Sequence, residues 1–283
     1  MRTTLLGEAL PNAGWNGSGP LVEVEDIHLS FEGVKAVDGV SFQVSNHELF
    51  AIIGPNGAGK TSIFNCLSGV YRPQQGSIKF LGKSILSTKP WKIAAMGMAR
   101  TFQNIELFPN MTVLDNLMLG RHSFLHYGFV SAMLRAGKVD RIEEENRQAV
   151  EAIIQFLELE PVRKSYVAML PYGIQKRVEL GRALAMAPKL LLLDEPAAGM
   201  NTEETEDMAR FITDIKRELG IGMILVEHDM RVVMDLADTV MAIDFGKPIA
   251  IGPPREIQEN EDVINAYLGK PHAVVETHSE PSA

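Results

Sequence analysis

The chain of 283 residues holds a single cysteine, Cys66, so no internal disulfide is available to it. A disulfide-stapled secreted scaffold is therefore excluded, and a reducing compartment fits. Cys66 itself reads as a small core residue on a helix. Basic residues are in the minority: 27 Lys and Arg stand against 36 Asp and Glu, a formal net charge of −9. A nucleic-acid-binding surface, which needs a basic face, is not expected. Long hydrophobic runs are missing too, and no apolar stretch approaches the roughly 20 residues that span a bilayer. Residues 1–20 lack an apolar signal core, so no secretion signal is expected. Sustained heptads and internal repeats are also absent, which argues against a long coiled coil. What remains is one large domain or two small ones, with 46% hydrophobic residues to build a sizeable core.

Residues 1–20, rich in Gly, Asn and Pro, read as a flexible leader, and the polar residues 270–283 as a disordered tail. Strand-like alternation over residues 21–25 and 40–44 predicts an antiparallel β-layer, and residues 76–82 add a short strand. Residues 49–53, 189–193 and 222–226 are short continuous apolar runs, as strands buried on both faces of a parallel sheet should be. Residues 241–244 give one more. From Val113 to about Met186 the pattern is mostly helical, with Ile142, Asn146, Ala149, Val150, Ile153, Ile154 and Leu157 at helical spacing.

The most specific segment is Gly54-Pro55-Asn56-Gly57-Ala58-Gly59-Lys60-Thr61, a full match to the phosphate-binding P-loop G-x-x-x-x-G-K-[ST]. Its glycines let successive backbone N–H groups turn onto one anion, which a Cβ would obstruct. Lys60 is suited to the β- and γ-phosphates of ATP, and Thr61 offers a hydroxyl to Mg²⁺. Ser62 opens the helix that follows, so an apolar strand, a Gly-rich loop and a helix N-terminus together make an anion site. Residues 190–193 are followed at once by Asp194 and Glu195. A buried strand that ends in an acid delivers Asp194 to a Mg²⁺ shell. One residue on, Glu195 can orient the attacking water or accept its proton.

Just upstream, Leu170-Pro171-Tyr172-Gly173-Ile174-Gln175 and the apolar-periodic residues to Ala185 resemble the LSGGQ signature and its helix in ATP-binding subunits of ABC transporters. Leu170 and Gly173 agree with that wording; Pro171, Tyr172 and Ile174 depart from it. The resemblance implies an α/β fold, the ABC ATPase fold. Its parts are a P-loop NTPase core with a mostly parallel sheet, an antiparallel β-layer and an α-helical subdomain. It covers residues 21–269, with the helical subdomain at about 104–186. It further implies that two such subunits sandwich two ATP molecules, Leu170 and Gly173 of one closing over the nucleotide held by the other. In the family's terms Gln103 resembles the glutamine that touches Mg²⁺ and the attacking water. His228 resembles the switch histidine, and Phe31 sits where an aromatic stacks on adenine. The catalytic set so implied is Glu195, His228 and Gln103, and the Mg²⁺ set is Thr61, Gln103 and Asp194. Residues 198–201 occupy the D-loop position in unusual wording, and no role is assigned to them.

Within that family, Phe64-Asn65-Cys66-Leu67-Ser68-Gly69, Arg100-Thr101-Phe102-Gln103, Glu227-His228-Asp229-Met230 and Ala266-Tyr267-Leu268-Gly269 are similar to the ATP-binding subunit of branched-chain amino-acid importers, the LivG type. This implies ATP and Mg²⁺ as ligands, and as partners two permease subunits and a substrate-binding protein. A second ATP-binding subunit is also implied, either a copy of the chain or a LivF-like subunit. No nucleic acid is implied, and the chain would sit peripherally at the cytoplasmic face of the inner membrane through the permease. Alternatives are the same motor for urea, short amides, other hydrophobic amino acids or aromatic acids, a lipopolysaccharide-export ATPase, or a soluble ABC ATPase outside transport. A basic, aromatic stretch over residues 121–138 carries no Asp or Glu. It reads either as a helical hairpin on the helical subdomain or as a surface bordering the permease or lipid head groups.

Overall fold

The computed structural model describes residues 2–15, 17–124 and 136–268. Its organising feature is the strand β3 (Leu49–Ile53), every residue of which is buried. Leu49, Ala51 and Ile53 enter one apolar cluster, whereas Phe50 and Ile52 enter another on the opposite face. The strands β7 (Leu190–Asp194) and β8 (Gly222–Val226) divide in the same way, with Leu191, Leu193, Met223 and Leu225 on one side and Leu190, Leu192 and Ile224 on the other. Period-two alternation between two dry faces is the physical reason for their unbroken apolar runs. With β6 (Met98–Arg100), β9 (Thr239–Asp244) and β10 (Lys247–Gly252), they form a sheet of order β10-β9-β3-β8-β7-β6. All neighbours run parallel except the β9–β10 hairpin. The carboxyl ends of β3, β6, β7 and β8 therefore share one edge, where ligands of such sheets gather.

The antiparallel layer expected from the alternating segments is present, with order β2-β1-β4-β5. Its strands are β1 (Val22–Phe31), β2 (Val34–Val44), β4 (Gln75–Phe80) and β5 (Lys83–Ser84). β1 and β2 run longer than residues 21–25 and 40–44 suggested. A register shift near Asp26, whose φ is 45°, breaks the alternation, and Ile27 then points inward again. Glu32 (φ 48°) and Gly33 (φ 88°) close the β1–β2 hairpin with the left-handed pair that a two-residue turn favours. Between the layer and the central sheet lies α2 (Lys60–Leu67), whose Ile63, Phe64, Cys66 and Leu67 join Phe42 and Phe50 in one cluster. Burial there pushes the Cys66 thiol up to about 11, as fits an inert core residue. A short helix, α3 (Pro90–Ala95), leads into β6.

The other face of the sheet is covered by α4 (Val113–Gly120), α5 (Ala136–Phe156), α6 (Tyr172–Ala185) and α7 (Thr202–Leu219). The helices α8 (Met230–Leu236), α9 (Pro254–Glu259) and α10 (Glu261–Leu268) follow. Val150, Ile153, Ile154 and Leu157, expected at helical spacing, are all buried in this cluster, although Leu157 lies just past the end of α5. The tail 270–283 and residues 125–135 of the basic aromatic stretch lie outside the described residues.

The leader differs from expectation. Residues Arg2–Ala9 form a helix, α1, and Leu6 and Leu10 are buried among side chains of α5 and α7. The Gly14 amide donates to the Pro188 carbonyl (2.9 Å), and the Asn46 side-chain amide donates to the Gly17 carbonyl (3.0 Å). The reason lies in the distribution of residues: Asn and Pro, and most of the Gly, fall after Leu10, while Leu6 and Leu10 stand four apart on one helical face. Their burial offsets the entropy of ordering the segment. Leu6→Ala is expected to lower the unfolding free energy by about 2–5 kcal/mol, read as a lower urea midpoint, whereas a flexible leader would leave it unchanged.

Candidate nucleotide-binding and catalytic site

The loop between β3 and α2 is shaped by close backbone contacts. A Cβ on Gly54 (φ 152°) would stand 2.2 Å from the Ile243 carbonyl oxygen, and one on Gly59 (φ 107°) 2.3 Å from that of Ala36. No side chain fits at either position, so the glycines let the loop sit against β9 and β2. The Lys60 ammonium folds back over this loop and donates to the carbonyls of Gly54 (2.6 Å) and Pro55 (3.0 Å). Burial pushes the Lys60 pKa down, and the carboxylates of Glu195 and Asp194 oppose that shift. No acidic side chain occupies the first turn of α2, and no side chain caps it, so its leading N–H groups are left for an anion. Thr61 is exposed and Ser62 half-buried at this end. An open cleft of about 370 Å³ runs along residues 56–62 and is closed on other sides by Lys35, Gln103, Glu195 and Phe245.

Glu195 follows β7 with a φ of 49°, a left-handed conformation that a non-glycine residue adopts only when its surroundings impose it. Its amide donates to the Val226 carbonyl (2.9 Å). The Gln103 side-chain amide donates to Glu195 Oε2 (2.9 Å), and His228 Nδ1 lies 3.7 Å from Glu195 Oε1. Loops after β6, β7 and β8 thus bring Gln103, Glu195 and His228 together. Glu195 and Gln103 also face the glycine-rich loop across the cleft. A water held by this set would meet a carboxylate able to take its proton.

Asp194, 6% exposed at its side chain, ends β7. Arg100 Nη2 donates to its Oδ2 (2.8 Å), while Nη1 donates to Asn65 Oδ1 (2.8 Å) and Ser68 Oγ (3.2 Å). The guanidinium also lies over the rings of Phe64 and Phe102, at 5.5 and 5.2 Å from their centroids. The sequence pattern by itself assigns Arg100 no role. The signal was available: a buried carboxylate at a strand end needs a counter-charge, and Arg100 is the basic residue on the neighbouring strand. Glu227 likewise has no role assigned by the sequence pattern. It is 1% exposed, and its carboxylate accepts from the amides of Ala197 and His228, both at 3.1 Å. Burial raises its pKa against the pull of these amides. The buried carboxylate pins the loops after β7 and β8 to one another.

The remaining expected site residues lie outside the cleft lining. Phe31 stands at the tip of the β1–β2 hairpin, 43% exposed, with its ring edge on Tyr71 at a centroid distance of 5.1 Å. Its cross-strand partner Val34 does line the cleft. The Leu170 carbonyl accepts from the Gln175 side chain (2.8 Å) just before α6 begins. A Cβ on Gly173 would stand 2.3 Å from Glu204 Oε1, so a side chain there would push the Glu204 carboxylate aside. Arg100→Met should strand a buried carboxylate and lower stability by about 3–5 kcal/mol, measured by denaturant unfolding.

Residues 37–198 match the family model described as ABC transporter, and residues 247–273 match that of the branched-chain amino acid ATP-binding cassette transporter. The high-affinity branched-chain amino acid transport ATP-binding protein BraF of Pseudomonas aeruginosa is 39% identical over 253 residues, covering 89% of this chain and 99% of BraF. LivG of Escherichia coli K12, which carries the same description, is 37% identical over the same shares of the two chains. Among solved structures, the ADP conformation of an ATP-binding cassette from an ABC transporter superposes with a TM-score of 0.78 at 29% identity, covering 89% of this chain and 100% of that one. A cassette match over more than half of the residues, joined to relatives aligned along nearly the whole length, means that the chain belongs to the ABC transporter family as one of its ATP-binding, ATP-hydrolysing subunits.

Proposed function

We propose that the chain powers an importer of branched-chain amino acids, hydrolysing ATP at the cleft between the glycine-rich loop and Glu195. The observation that carries the cargo is the match of residues 247–273 to the branched-chain cassette family, beyond the core that many ABC subunits share. In this reading Lys60 and the main-chain N–H groups of Gly57, Gly59, Lys60 and Thr61 neutralise phosphate charge. Glu195 orients the attacking water, and His228 and Gln103 hold Glu195 and the γ-phosphate in register. Catalysis here is positioning and charge neutralisation more than covalent chemistry.

The donor set fits Mg²⁺. Among the described residues, no group of three or more His, Cys, Asp or Glu could hold a metal by itself. A hard cation completed by phosphate and water needs few protein oxygens, and the Thr61 hydroxyl, the Asp194 carboxylate and the Gln103 side-chain oxygen are the groups that would supply them. Arg100 engages Asp194 through Oδ2, which leaves Oδ1 for the cation. When bound, Mg²⁺ would supply positive charge that offsets the negative charge of the nucleotide phosphates.

No helix among the described residues is long and apolar enough to cross a membrane, so transport through this chain requires spanning partners. The partners we infer are two permease subunits, a substrate-binding protein and a second ATP-binding subunit, either a copy of this chain or a LivF-like one. Leu170 and Gly173 of each subunit would close over the nucleotide of the other, consistent with their place outside the subunit's own cleft. Peripheral docking at the cytoplasmic face of the inner membrane follows from this assembly.

Glu195→Gln is expected to keep ATP affinity within about threefold and to slow hydrolysis by at least about 100-fold, measured as single-turnover phosphate release. Turnover at the wild-type rate in that variant would remove Glu195 from the mechanism. Uptake of labelled leucine in cells lacking the gene should return with the wild-type chain and not with Glu195→Gln. Uptake that never depended on the gene would keep the motor and move the cargo to urea, amides or aromatic acids.

A further inference from the structure

The loop that carries Gln103 is held by one face of α6. Lys176, Glu179 and Arg182 lie three residues apart in sequence and so share one side of this helix. The Lys176 ammonium donates to the carbonyls of Phe102 (3.1 Å) and Gln103 (2.9 Å). Glu179 Oε1 accepts from the Phe102 amide (3.2 Å), and the Glu106 amide also stabilises this carboxylate. Arg182 Nη1 donates to the Glu106 carbonyl (2.5 Å). Lys176 and Glu179 form an ion pair at 3.5 Å, and each side chain is 2% exposed.

This arrangement is not what packing alone would select. A buried ammonium and carboxylate carry a large desolvation penalty, and apolar residues of similar volume serve a core as well or better. Here both charges are spent on the main-chain groups of a single short loop. That loop has no helix or strand of its own, and Phe102, Gln103 and Asn104 are exposed. The backbone position of Gln103 therefore depends on α6, while its side chain donates to Glu195.

The geometry points to Lys176, Glu179 and Arg182 as positioning residues that transmit the placement of α6 to Gln103 and through it to Glu195. This inference rests on the role proposed for Glu195.

The test uses the full chain and the double variant Lys176→Met/Glu179→Leu, which removes both buried charges and leaves neither unpaired. Folding is checked by circular dichroism and thermal melting. The double variant is expected to keep ATP affinity within about twofold, to lower kcat at least about tenfold, and to speed hydrogen exchange at the Phe102 amide. Lys176→Arg, which keeps the donors, should return kcat to within about threefold of wild type. Arg182→Gln, at the half-buried end of the clamp, should lower kcat in the same direction and serves if the double variant fails to fold. A folded double variant with wild-type kcat overturns the inference, as does a fall in ATP affinity equal to the fall in kcat. Glu195→Gln run in parallel separates the two readings. Wild-type hydrolysis in that variant sinks the role of Glu195, whereas unchanged exchange at the Phe102 amide in the double variant sinks the clamp.

Discussion

Burial of both faces of the central sheet is the constraint on which the rest depends. β3, β7 and β8 have no wet side, so every residue along them is apolar until the strand ends. Polar chemistry is thereby confined to the carboxyl edge, where Gly54, Asp194 and Glu195, and Glu227 and His228, leave three neighbouring strands in turn. Parallel pairing sets these exits side by side, and the contacts of Gln103 and His228 with Glu195 come on top of that alignment. The site is assembled by the sheet, and its side chains then refine the geometry.

The electrostatics of that edge follow from the same burial. Lys60 and Arg100 stand opposite Asp194 and Glu195 in surroundings that water screens poorly, so each charge needs a named partner. Arg100 is the busiest of them. It links the acid at the end of β7 to Asn65 of α2 and to Ser68 just past its end, and hence to the helix whose N-terminus faces the cleft. Lys60 rests on carbonyls of its own loop, a hold that a phosphate oxygen of full negative charge can outcompete.

Around this core the loops are held by charges placed one layer further out. Glu227 ties the loop after β7 to the loop after β8. Lys176, Glu179 and Arg182 tie the loop after β6 to the helical side of the molecule. The loops that carry Gln103, Glu195 and His228 are thus fastened by a few buried side chains and not by secondary structure of their own.

The legible part of this protein was whatever depends on near neighbours in the chain. The spacing from Gly54 to Thr61, the unbroken apolar runs and the acid at the end of residues 190–194 are local patterns, and each stands in the structure as the element it announced. The resemblance carried by residues 170–185 and 100–103 extended that reading to the family. Local composition misleads in the leader, where Gly, Asn and Pro point to a flexible segment while the burial of Leu6 and Leu10 orders it. What stayed hidden was any pair that meets only after folding. Arg100 and Asp194 are separated by 94 positions, and Lys176 and Phe102 by 74. The amino-acid sequence alone determined the buried strands β3, β7 and β8, the phosphate loop and the placement of acids at strand ends, because burial and backbone conformation act over a few residues. Only the tertiary structure decided which cation neutralises Asp194, what pins Glu227 and what holds Gln103, because charge pairing is a matter of distance in space, and the sheet order sets that distance.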